Sequence, residues 1–202
     1  MDILASADGS LTNPSKLAST FQGHGQKRVS DKTIRRCIGF LVEAFLMEEA
    51  KRYDIKGRKY IGALMKCYYG DVGLRNARLN FRQQEENYLM ENVICNEPRY
   101  RGWAVDVGVV GLRERSGDGS LRSKQLEVDF MANKGSRRVY VQSAFAMPDS
   151  AKERQEKRSL SMVQDSFKKI VVVRGPIKPW QDDQGIVTLG LFDFLLDSES
   201  WE

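Results

Sequence analysis

Leu126-Glu127-Val128-Asp129-Phe130-Met131 and Arg138-Val139-Tyr140-Val141-Gln142-Ser143-Ala144-Phe145 are the two stretches that decide the fold, with Lys134-Gly135-Ser136 between them. Both are rich in β-branched and aromatic residues, and the intervening triplet forms turns readily. Side chains alternate across a strand, so Glu127 and Asp129 share one face of the first and Gln142 and Ala144 one face of the second. A two-stranded hairpin with paired acids on one face follows.

Downstream, residues 151–165 predict a charged helix with Leu160 and Val163 turned inward. Ile170-Val171-Val172-Val173 has no polar face, the mark of a strand covered on both sides. Residues 185–189 predict a last short strand and residues 192–196 a terminal helix. Upstream, residues 103–109 alternate as a strand. A helix starts near Glu86, with Leu89, Val93, Asn96 and Tyr100 on one side. Pro98 predicts that it kinks or stops around Asn96. Residues 112–124, rich in Gly, Ser and Arg, predict a loop. From residue 87 the order is α-β-β-β-α-β-β-α. That is an α/β fold, a mixed sheet flanked by helices, with a core of about 110 residues.

The N-terminal part reads differently. A short helix covers residues 10–21, with Asn13 as cap and Pro14 at the first helical position. A loop with glycines, residues 22–29, contains His24, the sole histidine and a solvent-exposed loop residue on this reading. Ser30 or Asp31 then caps a long helix whose stripe is Ile34, Ile38, Leu41 and Phe45. Tyr53, Ile55 and Tyr60 alternate with charge around Gly57 and predict a hairpin. Helix, loop, helix and basic hairpin form a winged helix-turn-helix pattern; the plainer reading is a helical lead-in with solvated charges. Residues 66–76 predict a strand ending in a turn. The boundaries expected are 1–62 for the winged-helix region, 63–86 for a connector, 87–197 for the α/β domain and 198–202 for a tail.

Composition bounds the function. The 202 residues carry 41% hydrophobic and 29% charged residues and a formal net charge of +5, enough to bury a core and to permit nucleic-acid contact. Cys37, Cys67 and Cys95 form no CxxC pair, which favours a reducing, cytoplasmic location over a zinc site. No apolar run approaches the roughly 20 residues that span a bilayer, and neither a signal peptide nor membrane association is expected. No G-x-x-x-x-G-K-[ST] occurs, so nucleotide hydrolysis by a phosphate loop is excluded.

The segments 51–58, 71–76, 89–93, 127–130, 140–142 and 193–196, taken together and in order, carry a family resemblance. The chain resembles the C-terminal domain family that follows an AAA-type ATPase module in uncharacterised prokaryotic proteins. The resemblance implies a winged helix followed by a restriction-endonuclease-like PD-(D/E)XK domain, with an ATPase module expected upstream. In active members of that superfamily a helix glutamate, a strand aspartate and an E-x-K strand build the site. By resemblance the helix glutamate matches Glu91 and the aspartate Asp129. Gln142 stands at the E-x-K glutamate, as is common in the ATPase-linked family, and Ala144 stands at the lysine. Pro98 replaces the usual aliphatic residue.

No resident cofactor is expected; Glu91 and Asp129 would hold one magnesium ion weakly, since an amide at Gln142 is a neutral, poorer ligand. An alanine cannot support the attacking water, and losing such a group costs about 10²-fold or more. Glu127 is the spare acid on the same face, and Lys124 or Lys134 would have to supply a migrated amine. The plainer reading makes Asp129 and Gln142 partners of neighbouring backbone and Glu91 a solvated acid.

The DNA-binding candidates are Lys32, Arg35 and Arg36 on the predicted recognition helix and Lys51, Arg52, Lys56, Arg58 and Lys59 on the wing, with Tyr53 and Tyr60 interleaved. The expected function is a non-catalytic DNA-binding or regulatory module related to the C-terminal part of an AAA-type ATPase. The alternatives are a weak magnesium-dependent nuclease and a protein-interaction remnant. Double-stranded DNA and an ATPase or other protein are the expected partners.

Overall fold

The structure, a computed structural model, describes residues 2–23, 29–82, 85–115 and 121–200. His24 lies outside the described residues, as does the stretch 116–120 of the expected 112–124 loop. The chain forms two compact units, Met1–Lys51 with Gly62–Asn96 and Arg52–Ile61 with Glu97–Glu202.

The first unit opens with α1 (Asp2–Ser6), α2 (Pro14–Gly23) and α3 (Asp31–Glu43). Asn13 Oδ1 accepts the Lys16 amide at 2.7 Å, and Pro14 fixes the first helical φ, so α2 starts where those residues place it. Ser30 caps α3 by accepting the Thr33 amide at 3.1 Å. Ile34 and Ile38 bury against Leu17, Ala18, Met47, Met65 and Cys67. Phe45 does not extend the stripe. The helix ends at Glu43, and Phe45 sits at φ 57° with 84% of its surface exposed. The chain reverses there under Gly70, where a Cβ would come within 2.8 Å of the Phe45 carbonyl oxygen.

The hairpin is β1 (Met47–Asp54) and β2 (Lys59–Tyr69), longer than the alternation of its exposed end suggests. Asp54 Oδ1 accepts the Gly57 amide at 2.9 Å and closes the turn. Residues 66–76 are corrected: the strand stops at Tyr69 and a helix, α4 (Val72–Arg78), follows, capped by Asp71 through the Leu74 amide at 2.8 Å. The next helix, α5 (Glu86–Tyr100), does not stop at Asn96. Pro98 lies in its last turn, where its missing N–H removes one intrahelical bond, and its own carbonyl is taken by the Trp103 amide at 2.9 Å. Asn96 is a buried tie, donating to the Tyr69 carbonyl at 2.8 Å.

In the second unit β4 (Leu121–Lys134) runs antiparallel to both of its neighbours, β3 (Ala104–Arg115) and β5 (Arg137–Ala144). After α6 (Ser150–Ser161) come β6 (Lys168–Val173), β7 (Trp180–Gln181), β8 (Ile186–Gly190), α7 (Leu191–Leu196) and a 3-10 turn at Ser198–Ser200. β6 is parallel to β5 and β8, and β7 is antiparallel to β8. Among the described residues eight strands pair in the order β2-β1-β3-β4-β5-β6-β8-β7, a mixed sheet flanked by helices. Most of the expected 112–124 loop is strand instead: Leu112 pairs with Lys124 and Arg115 with Leu121. The β3–β4 ladder continues past the apolar stretch that marks it in the sequence. Beneath α6, Tyr140, Ala144, Leu160, Val163, Val171 and Val173 belong to one core.

Candidate nucleic-acid interface

The residues that the nuclease resemblance assigns are engaged in other work. Asp129 and Gln142 do meet, as the strand register requires. Asp129 Oδ2 accepts Gln142 Nε2 at 2.7 Å and the Ser143 amide at 2.9 Å. Gln142 Oε1 in turn accepts Ser159 Oγ of α6 at 3.1 Å. The glutamine is thus a clasp between two strands and the helix that covers them. Ala144, at the lysine position, is 2% exposed among the core residues under α6. Lys134, a candidate migrated amine, donates to the Arg101 carbonyl at 2.7 Å, and Lys124 is exposed.

Glu91 belongs to the first unit, where its Oε1 accepts Lys66 Nζ at 3.0 Å and Tyr68 OH at 2.7 Å. It is not a solvated acid but one member of a polar cluster. Asp8, 3% exposed, accepts the Tyr69 amide at 3.1 Å and Asn92 Nδ2 at 3.2 Å, with Arg75 Nε 4.0 Å away. Burial pushes its carboxyl up to about 7, against the hydrogen bonds and the guanidinium that pull it down. Magnesium fits these residues poorly. Glu91 already faces an ammonium group and Asp129 faces two N–H donors. Among the described residues no group of three or more His, Cys, Asp or Glu converges as metal ligands.

The basic residues divide between the units. In the first, Lys32, Arg35 and Arg36 lie on the exposed side of α3, with the Arg36 guanidinium 5.2 Å over the Phe40 ring. Lys51 is exposed beside Glu49. In the second, Lys56, Arg58 and Lys59 are exposed around the hairpin turn, and no carboxylate among the described residues pairs with them. Arg52 is only half exposed, and its Nη2 donates to Gln125 Oε1 at 2.8 Å. It therefore fastens β1 to β4 rather than serving as a wing cation. Tyr60 packs edge-on against Tyr53 with ring centroids 5.2 Å apart, and its hydroxyl donates to Asp106 at 3.0 Å. Burial and then that bond raise its pKa, so the hydroxyl is tied.

The turn of the hairpin opens on a cleft of about 620 Å³ inside the second unit. Lys56, Arg58 and Arg138 supply positive charge; Ile55, Val110, Leu112, Met162 and Phe167 supply apolar wall. Arg138 donates Nε to Asn133 at 2.7 Å and Nη1 to the Tyr140 hydroxyl at 3.3 Å. Its guanidinium lies 5.4 Å over the Phe167 ring. Asp165, the one acid among the described lining residues, accepts the Tyr140 hydroxyl at 2.6 Å and the Phe167 amide at 3.2 Å. Sequence reasoning missed Arg138, Asp165 and Phe167. The dibasic start of β5 and the Phe167-Lys168-Lys169 run were the available signals. They are 29 positions apart, from Arg138 to Phe167, and only the sheet brings them together.

The comparisons with known proteins cover this chain unevenly. Residues 1–85 match a domain of unknown function (DUF8612). An uncharacterised protein from Haemophilus influenzae is 33% identical over 193 residues, which is 96% of this chain and 44% of the relative. The chain therefore spans less than half the length of that relative. Among solved structures, protein VC1899 from Vibrio cholerae aligns with 90% of this chain and 47% of its own, at 13% identity and a TM-score of 0.36. No helix among the described residues is long and apolar enough to cross a membrane.

Proposed function

We propose that this chain is a non-catalytic nucleic-acid-binding module, working as the regulatory part of a longer protein such as an AAA-type ATPase. The observation that carries the reading is the convergence of Lys56 and Arg58, which no carboxylate among the described residues pairs, with Arg138 on one cleft. Exposed cations of this kind attract phosphate and release counterions from it. The helix–loop–helix–hairpin order of α2, α3, β1 and β2 supports a winged-helix contribution, with Lys32, Arg35 and Arg36 contacting the phosphate backbone. A reducing, cytoplasmic setting is consistent with Cys67 and Cys95, both buried and neither in a disulfide. Burial pushes the Cys67 thiol up to about 12, which leaves it inert.

Fluorescence anisotropy on a labelled duplex tests the reading. Affinity falls steeply between low and physiological salt. Replacing Lys56, Arg58 and Lys59 together by alanine lowers the salt slope by about one unit per lost phosphate contact. An unchanged slope in the triple variant would remove the hairpin turn from the interface.

The clasped state of Asp129 argues against the nuclease alternative. Neither plasmid nor single-stranded DNA is cleaved with magnesium or manganese, manganese being the more permissive ion. A gel that shows cleavage by the parent and none by Asp129→Asn would reinstate an active site there.

A further inference from the structure

We infer that the cleft of the second unit receives an unpaired nucleotide of a nucleic-acid strand, its phosphate against Lys56, Arg58 and Arg138 and its base against Phe167 and Met162. The inference rests on the nucleic-acid reading above and specifies the strand form that the cleft accepts.

The division of the cleft matches that of a nucleotide. Its charged side is unbalanced: three cations face Asp165, whose two oxygens already accept the Tyr140 hydroxyl and the Phe167 amide. Arg138 is preset for an anion. Asn133 and Tyr140 fix Nε and Nη1, and no acceptor among the described residues takes Nη2. A planar guanidinium held in this way offers a fixed donor edge to a phosphate. The opposite side is apolar and open. Phe167 and Met162 are 38% and 40% exposed, though both are large and hydrophobic. An aromatic ring left partly bare beside unpaired cations is the combination on which unpaired bases stack, and stacking tolerates any base. A duplex buries its base faces and cannot use such a wall. The volume, about 620 Å³, lies within the range of pockets that enclose small ligands.

The test compares a labelled oligothymidylate with a duplex of equal length, using the full chain. The parent binds the single strand more tightly than the duplex. Phe167→Ala weakens oligothymidylate binding at least ~10-fold and leaves duplex affinity unchanged, because only the unpaired base loses its platform. Phe167→Tyr retains the ring and the parental affinity, which separates loss of stacking from loss of fold. Free thymidine monophosphate, which has the same base and phosphate but lacks the neighbouring contacts, competes only weakly. Equal affinity for Phe167→Ala and the parent would overturn the inference. So would competition by the mononucleotide as strong as by the oligomer, which would assign a free nucleotide instead. Displacement by polyglutamate as effective as by the oligomer would assign an acidic polypeptide and overturn it too. A parent that binds neither strand nor duplex overturns the nucleic-acid reading itself, whereas a parent that binds both equally overturns only the strand preference.

Discussion

Ala144→Lys is expected to lower the stability of the chain by about 3 kcal/mol or more, measured as a shift in urea midpoint at constant slope. The nuclease resemblance predicts the reverse, since it treats Ala144 as a vacant lysine position on an open site. Ala144 is 2% exposed and shares a core with Val128, Leu160, Val171 and Val173. An ammonium group placed there loses its water and meets no carboxylate in that core. Either the lysine sheds its proton or the region under α6 opens. The double change Gln142→Glu with Ala144→Lys does not rescue it. A glutamate at residue 142 would set a carboxylate oxygen where Gln142 Nε2 now donates to Asp129 at 2.7 Å, and it would break the clasp. The outcome that would sink this argument is a double variant as stable as the parent that gains manganese affinity by calorimetry. That result would mean α6 can lift from the sheet at little cost.

The legible parts of the fold were those with local causes. Ile170 to Val173 reads as a doubly covered strand because four β-branched residues in a row leave no side for water, and β6 lies between two parallel neighbours. Asn13 with Pro14 and the Ser30 cap mark helix starts through bonds made within four residues. Glu127, Asp129, Gln142 and Ala144 were placed on the right strands by alternation, and Asp129 and Gln142 do touch. The illegible parts had distant causes. Residues 112–115 look like loop because Leu, Arg, Glu and Arg carry no apolar alternation, yet they are strand because β4 returns alongside them. The helix α4 was hidden because Arg75, its fully buried residue, is charged, and burial of a charge follows from its partners rather than its type. Glu91 looked solvated on the plainer reading for the same reason, since its partners Lys66 and Tyr68 lie 25 and 23 positions away. The cleft could not be read at all, since its lining comes from the β1–β2 turn, β3, the start of β5 and the segment after α6.

Asp8 sets the second large effect, and it concerns pH. Its carboxyl titrates near 7 in the folded chain, against 3.8 for the ordinary group, chiefly because it is buried. A raised pKa means that the folded state holds the proton more tightly than the unfolded state does. The resulting stabilisation is fully present below about 3.8 and is lost as pH rises to about 7. Stability should therefore decline between pH 5 and 7, by on the order of 3 kcal/mol from this group alone, and level off above it. Asp8→Asn is the matching variant. The amide copies the neutral acid in shape, and its oxygen can still accept the Tyr69 amide. It should flatten the pH profile, with its largest relative gain over the parent at or above pH 8. Arg75 sharpens the distinction. If that guanidinium, 4.0 Å away, instead holds Asp8 ionised throughout, the parent shows no decline and the asparagine variant is the weaker protein at every pH, because the buried guanidinium loses the carboxylate beside it. Urea unfolding of both proteins across pH 5 to 8 separates the two. Parallel profiles would show that Asp8 does not take up a proton in the folded chain, and Asp8 and Arg75 would then have to be treated as a charged pair.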